Sequence, residues 1–276
     1  MTLEAMMVYV DFDSASQNRI AAAADLARHF DAKLIGLAAW PLRKSDPMPY
    51  LRPEVSASEQ ERVAHISKQF KLLEEQFRRA AGNVGRGVEW RAQPHFPREV
   101  LSREARAADL LVIGREFLPG DVHHTYDPGS VILQAGRPVL VVPGAVHRIQ
   151  LSNVLIAWKD SREARRALRD ALPFLKRAQA VDVVVINPDP DSAKDVDAQV
   201  ADVERYLAGH GVKIREHIES VENAEDGAIL LRTAHRKHAG LIVAGAYGRT
   251  RLSEWIFGGV TRLLLSNSPI PCLFSN

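Results

Sequence analysis

The residue pattern best suited to chemistry is a set of glycines near the end of the chain. Gly245 and Gly248 close the apolar run Leu241-Ile242-Val243-Ala244, and Gly258-Gly259 begin ten residues after Gly248, giving a G-x2-G-x9-G spacing. Glycine reaches positive φ and admits close approach, so a loop of this kind can wrap its N–H groups around phosphate oxygens. On that reading Gly245 and Gly248 let the backbone approach, and Gly258, Gly259 and Val260 present N–H groups at a helix start. Arg249 or Arg251 would supply charge, and Thr261 a hydroxyl. The competing reading is that the glycines only make tight turns between a strand and a helix, with the arginines solvated. Spacing alone leaves both open.

Other chemical candidates are weaker. His235 and His238 lie three apart on an expected helix, but no carboxylate or cysteine spacing completes a zinc set, so a structural or solvent-facing role is expected. His123 and His124 are neighbours in a polar loop, where side chains diverge. There is no Walker A pattern, no G-x-S-x-G and no H-E-x-x-H. The stretch Gly82-Asn83-Val84-Gly85-Arg86-Gly87 follows a helix rather than a strand and reads as a helix stop. Asp11 and Asp13 flank Phe12 after the first strand, where they either touch a ligand or cap the next helix, the commoner outcome. Trp158, directly before Lys159, suits base stacking or, more commonly at a strand end, the core.

These residues sit in a duplicated framework. Ala239-Gly240-Leu241-Ile242-Val243-Ala244-Gly245 repeats Ala108-Asp109-Leu110-Leu111-Val112-Ile113-Gly114 in type, and Pro138 and Pro269 each follow the closing glycine by twenty-four residues. Gly87-Val88-Glu89-Trp90-Arg91 likewise matches Gly211-Val212-Lys213-Ile214-Arg215. A repeat of about half the chain is a domain, not a solenoid unit. Apolar runs at 7–10, 33–39, 110–113 and 139–142 read as strands of the first half, with a helix stripe at Ile20, Ala23, Ala24 and Ala27 and another helix at 63–73. In the second half the strands are 154–158, 181–186, 212–218, 241–244 and 270–274, and helices fall near 164–175, with Pro173 as a kink, 196–207, 226–238 and 259–266. The Pro-rich stretch from Trp40 to Pro53 is either a mobile loop or a lid over the strand ends. Strands alternating with helices predict parallel sheets covered on both faces. The expected fold is α/β: two similar doubly wound domains, residues 1–146 and 147–276, each with a mostly parallel five-stranded sheet flanked by helices.

Composition narrows the partners. Lys and Arg number 36 against 34 Asp and Glu, a net charge of +2, which argues for neither nucleic acid nor an anionic membrane. The apolar fraction of 46% suits two ordinary cores. One cysteine, Cys272, precludes an internal disulfide and fits a reducing compartment. With no leader-like start and no long apolar run, a cytoplasmic protein is expected.

The chain resembles the universal stress protein A family in its tandem form. The resemblance is carried by Val10-Asp11, by Ile156-Ala157-Trp158-Lys159-Asp160-Ser161-Arg162-Glu163-Ala164, by the loop from Gly245 to Gly259, and by the Pro-apolar last strands. It implies a five-stranded parallel fold in each half and antiparallel pairing of the last strands, Val139-Leu140-Val141-Val142 with Cys272-Leu273-Phe274. It also implies ATP or AMP, with or without Mg²⁺, held by an acidic residue after strand one and by a glycine loop ending in Ser or Thr. The ligating set would be Gly245, Gly248, Arg249, Gly258, Gly259, Val260 and Thr261.

Departures from that pattern make the halves unequal. In the first half Phe117 replaces the second loop glycine, and Gly129-Ser130 is out of register by two when Gly114 and Pro138 are aligned on the second repeat. In the second half Gly259 stands where the family has Ser or Thr, and Lys159 where it has an acid. Losing that hydroxyl removes a phosphate hydrogen bond of about 1 kcal/mol. The resemblance thus implies stress-response function through nucleotide binding by the second half, by binding rather than turnover. The alternative is a stress-associated scaffold without nucleotide. Slow ATP hydrolysis has no evident base in the loop. An unidentified protein partner and an intramolecular pseudo-dimer are expected, with homo-oligomerisation left open.

Overall fold

Apolar runs become strands, and the three- and four-spaced stripes between them become helices. The computed structural model describes residues 2–41, 57–115, 126–187, 193–221, 226–246 and 259–276. In the first half these are β1 (Ala5–Tyr9), α1 (Ser16–Phe30), β2 (Lys33–Ala39), α2 (Ala57–Ala81), β3 (Val88–Gln93), α3 (Pro97–Glu104), β4 (Leu110–Gly114), α4 (Pro128–Gln134) and β5 (Val139–Val142). The second half has β6 (Asn153–Trp158), α5 (Arg162–Asp170), α6 (Leu172–Leu175), β7 (Ala180–Asn187), α7 (Ala193–Gly209), β8 (Ile214–Val221), α8 (Asp226–Arg236), β9 (Leu241–Gly245), α9 (Gly259–Asn267) and β10 (Cys272–Ser275).

All ten strands join one sheet in the order β3-β2-β1-β4-β5-β10-β9-β6-β7-β8. Every pairing is parallel except the central one, where Val139, Leu140 and Val141 of β5 oppose Phe274, Leu273 and Cys272 of β10 antiparallel. The two five-stranded orders are mirror repeats about that seam, as the resemblance implies.

Side-chain alternation splits the core into two layers. Met6, Val8, Val154, Ile156, Val243 and Leu273 pack under α1, α2, α5, α6 and α7, while Met7, Tyr9, Leu155, Ala157, Ile242 and Phe274 pack under α3, α4, α8 and α9. The halves also meet through helices. Phe30 of α1 stacks edge-on against Phe174 of α6 at 5.1 Å, and the Arg177 guanidinium lies 4.2 Å from the centre of the Phe30 ring.

Three local readings are corrected. Pro173 does not kink one helix: α5 ends at Asp170 and α6 starts anew at Leu172, because proline fits the first turn of a helix but not its interior. The first-half helix expected at 63–73 extends over Ala57–Ala81 and stops at Gly82, whose φ of +59° is the left-handed conformation glycine takes cheaply. The repeat itself is also shifted. Leu111 N–H donates to Pro138 O at 3.1 Å and Ile242 N–H donates to Pro271 O at 3.0 Å, so Pro138 corresponds to Pro271 rather than Pro269. The second half therefore has two more residues between its strand-ending glycine and its last strand. β10 accordingly starts at Cys272, later than the expected Ile270.

Candidate functional site

In each half the chain moves outward from the first strand and then returns to its other side, so strand order reverses between β1 and β4 and again between β6 and β9. In open α/β sheets the carboxyl ends of strands at such a reversal form a crevice where ligands bind. Pairing of Met6 with Leu110 and of Val154 with Leu241 puts the two crevices in register: Tyr9 corresponds to Ala157, Asp11 to Lys159 and Gly114 to Gly245.

The first-half crevice is filled by its own side chains. Arg19, on the second turn of α1, is only 2% exposed. Its Nε donates to Tyr9 O at 2.9 Å and its Nη2 to Asp11 Oδ1 at 2.8 Å. A Cβ on Gly114 would overlap Arg19 Nη1, so the glycine makes room for the guanidinium. Above it the Tyr126 hydroxyl accepts from Gly114 N–H at 2.9 Å, and its ring meets Tyr9 edge-on at 5.0 Å. Burial opposes the Arg19 charge, but Asp11 and then Tyr126 outweigh it and hold the pKa above its ordinary value. Burial, then Asp11, pushes the Tyr9 phenol well up, and burial does the same to Tyr126, so both stay neutral donors. Neither aspartate caps α1, whose N-cap Ala15 has no side-chain hydrogen bond: Asp13 accepts from Ala15 N–H at 3.1 Å in the turn before the helix, and Asp11 is paired with Arg19.

The helix that follows is closed as well. Asp127 is the N-cap of α4, accepting from Ser130 N–H at 2.8 Å and from the Ser130 hydroxyl at 2.7 Å. A carboxylate already sits where an incoming anion would have to go. Gly129-Ser130 is thus the first turn of a self-capped helix and not the end of a phosphate loop. Phe117 lies outside the described residues.

The second-half crevice is built differently. Counting on from the strands, Ala167 stands at the position of Arg19, and without the guanidinium α5 settles directly on the end of β9. A Cβ on Gly245 would overlap Ala164 N and the Glu163 carbonyl carbon. Gly245 therefore has a packing role independent of any ligand. The α5 N-terminus is capped by Ser161, whose hydroxyl accepts from Ala164 N–H at 3.2 Å. In the register set by the last strands, Val260 occupies the place of Asp127, and the first turn of α9 holds no acidic residue. Gly259 is exposed, Val260 half-buried and Thr261 buried, and a Cβ at Gly259 would meet no atom within 4 Å. Hence no described residue requires glycine there.

Gly259, Val260 and Thr261 are brought together at the start of α9, while Gly245 ends the strand before it. Gly248, Arg249, Arg251 and Gly258 lie outside the described residues, as do His123, His124 and most of the Pro-rich stretch beyond Trp40. His235 and His238 do not share a helical face: α8 ends at Arg236, and His238 turns away with φ of +51°. Among the described residues no three His, Cys, Asp or Glu side chains converge as a metal site. No described helix is long and apolar enough to cross a membrane. Cys272 is buried in β10, and burial pushes its thiol up to about 12, which leaves it unreactive.

Sequence reasoning missed Arg19, Tyr126 and Asp127. The signals were present: an arginine inside the Ala-rich buried stripe of α1, and an Asp-Pro-Gly-Ser start in which aspartate caps and proline takes the first helical position.

This geometry is that of a doubly wound α/β protein made of two repeats on one sheet, with one strand-end crevice closed by Arg19 and Asp127 and a second whose described residues include no counterpart of either. The model of the universal stress protein family matches residues 3–120 and 151–275. The chain belongs to that family, and so to a family of stress-response proteins. Among solved structures, a universal stress protein from Archaeoglobus fulgidus DSM 4304 is 18% identical, with 99% of this chain and 98% of that chain covered and a TM-score of 0.72. A functionally unknown protein from Pseudomonas aeruginosa PAO1 is 17% identical over 99% of this chain and 92% of that chain, with a TM-score of 0.58. At these identities the likeness is one of fold. No match was found among curated proteins.

Proposed function

We propose that the chain is a cytoplasmic stress-response protein in which residues 147–276 form a domain that binds an adenine nucleotide, ATP or AMP, and residues 1–146 form a closed counterpart. The observation that carries this reading is the difference between the two helix starts: Asp127 occupies the donors of α4, whereas α9 begins with Gly259 and Val260 and no acid. A helix N-terminus whose first turn holds no carboxylate favours a phosphate. The glycine spacing of Gly245, Gly248, Gly258 and Gly259, which the resemblance ties to nucleotide binding, supports the same half. Arg249 would add screened charge, and Mg²⁺ would accompany ATP without a protein cage of its own. The protein acts through binding and an unidentified protein partner rather than turnover.

Equilibrium calorimetry with ATP and AMP, with and without Mg²⁺, tests the reading: one nucleotide per chain is expected. Replacing Gly258 with valine should abolish the signal while the thermal transition remains. No heat at millimolar nucleotide overturns it. A second reading, an interaction scaffold without nucleotide, is favoured by Gly245, whose missing side chain is already explained by the approach of α5. That reading gains if the calorimetry is silent.

A further inference from the structure

A charged side chain of the first half reaches the end of a helix in the second. Arg115 follows Gly114 at the carboxyl end of β4, and its Nη1 donates to Ser268 O at 2.7 Å. Ser268 closes α9: its N–H donates to Leu264 O at 3.2 Å, and the residue is buried. The carbonyls of a helix's last turn have no partner within the helix, and the helix dipole makes that end negative. The last turn of α9 holds no basic residue of its own. A guanidinium from the other repeat supplies both the donor and the charge.

The base of Arg115 is set by the closed crevice. Gly114 N–H donates to the Tyr126 hydroxyl at 2.9 Å, the Arg19 guanidinium takes the space a side chain on Gly114 would need, and Gly114 pairs with Val142 of β5. A shift of Tyr126 or Arg19 therefore moves the point from which Arg115 reaches out. The reverse link is missing. Arg115 corresponds to Ala246 and Ser268 to Ala135, so no guanidinium runs from the second crevice to the end of α4. Ala246 is tied to its own half, donating to Ser275 O at 2.9 Å and accepting from Asn276 Nδ2 at 3.0 Å.

We propose that Arg115 is a latch between the repeats, which passes the state of the first crevice to α9. Its two states are a guanidinium seated on Ser268 O and one released to water. When the first crevice loosens, the seated state is lost and the end of α9 opens. The inference concerns α9 itself and does not depend on the nucleotide reading.

Hydrogen exchange on the full chain reads the helix, and disulfide-reagent labelling of Cys272, the one cysteine, reads the corner directly after it. The thiol is buried and labels only when that corner opens. Burial raises its pKa, and Ser268 and Arg115 lower it, so loss of the Arg115 charge alone would slow labelling. Faster labelling thus reports opening. The comparison takes the wild type, Arg115→Met, Arg115→Lys, Tyr126→Phe and the double variant Arg115→Met with Tyr126→Phe. Arg115→Met should speed labelling, and exchange at residues 262–268, roughly tenfold, the size of one charge-assisted hydrogen bond, while β6 and β7 keep their protection. Arg115→Lys should recover part of it, because an ammonium keeps the charge without the planar fork. Tyr126→Phe should speed the same amides when Arg115 is present and add nothing in Arg115→Met. Unchanged exchange at 262–268 in Arg115→Met overturns the proposal. So does acceleration spread evenly over the second half, which is general destabilisation. A Tyr126→Phe effect that is absent, or that persists undiminished in Arg115→Met, overturns it as well. Circular dichroism confirms that each variant is folded, and Arg115→Lys alone carries the test of the contact should the methionine variant not be.

Discussion

Arg19 and Ala167 hold equivalent places, and that single difference decides how each helix meets its strand. Where the guanidinium is present it fills the crevice; where it is absent the helix backbone closes on Gly245. Arg19→Ala should therefore destabilise the protein by about 3 kcal/mol, because it orphans Asp11 and the Tyr9 carbonyl. Urea denaturation measures this, and recovery of stability on adding millimolar guanidinium would identify the lost group. A pair of alanine substitutions separates packing glycines from ligand glycines. Gly245→Ala should cost roughly 1–3 kcal/mol through overlap with Ala164. Gly259→Ala, at an open helix start, should leave the melting temperature unchanged or raise it slightly, by the equivalent of about 0.5 kcal/mol. A loss of nucleotide affinity in the second variant then reports contact with the ligand and not a damaged fold. The glycine spacing is a feature of the sequence itself. The role of Arg19 was not legible there, because one charge on an apolar stripe does not reveal which carboxylate or carbonyl it reaches.

At the scale of elements, α4 and α9 show how a helix start is opened or closed. Both follow the fourth strand of their half and lead to the last one, yet α4 carries its own anion in Asp127 and α9 carries none. Placing an acid in the first turn of α9 tests this. Val260→Asp should stabilise α9 by about 0.5 kcal/mol through the helix dipole while weakening nucleotide binding at least tenfold by repulsion. Thermal melting and calorimetry on the same sample read the two effects, and a variant that binds as well as the wild type would place the phosphate elsewhere. A third element, the β2–β3 edge, carries charge that pH can remove. Glu89 is held below its ordinary pKa first by Lys33 and then by Arg91. A depressed carboxylate contributes stability above its unfolded pKa of about 4.3 and loses it as pH falls through the lower folded value. Stability should therefore drop below about pH 4, and Glu89→Gln should flatten part of that slope in acid-denaturation curves.

At the scale of the molecule, the antiparallel seam between β5 and β10 turns two repeats into one sheet with a continuous pair of cores. Leu140 and Leu273, fully buried across that seam, belong to the same apolar layer as Phe30 and Phe174. Unfolding should then be a single transition, with near-ultraviolet and far-ultraviolet signals superimposing in denaturant. The second half expressed alone, residues 147–276, should dimerise through the freed edge of β10, since an unpaired strand edge templates another. A monomeric second half, or two separated transitions, would show that the seam contributes little. Much of this plan is local in origin. Apolar runs of strand length, helical stripes between them and the repeat of one half in the other were sufficient for the α/β class and most of the element order, because periodicity and turn chemistry act over a few residues. Only the tertiary structure decided the rest: that Pro138 matches Pro271, that Arg19 and Asp127 close the first crevice, and that α5 settles on Gly245 in the second. Those facts depend on strand register and on side chains distant in sequence meeting in space. One residue of slip would have turned every one of them to the other face of the sheet.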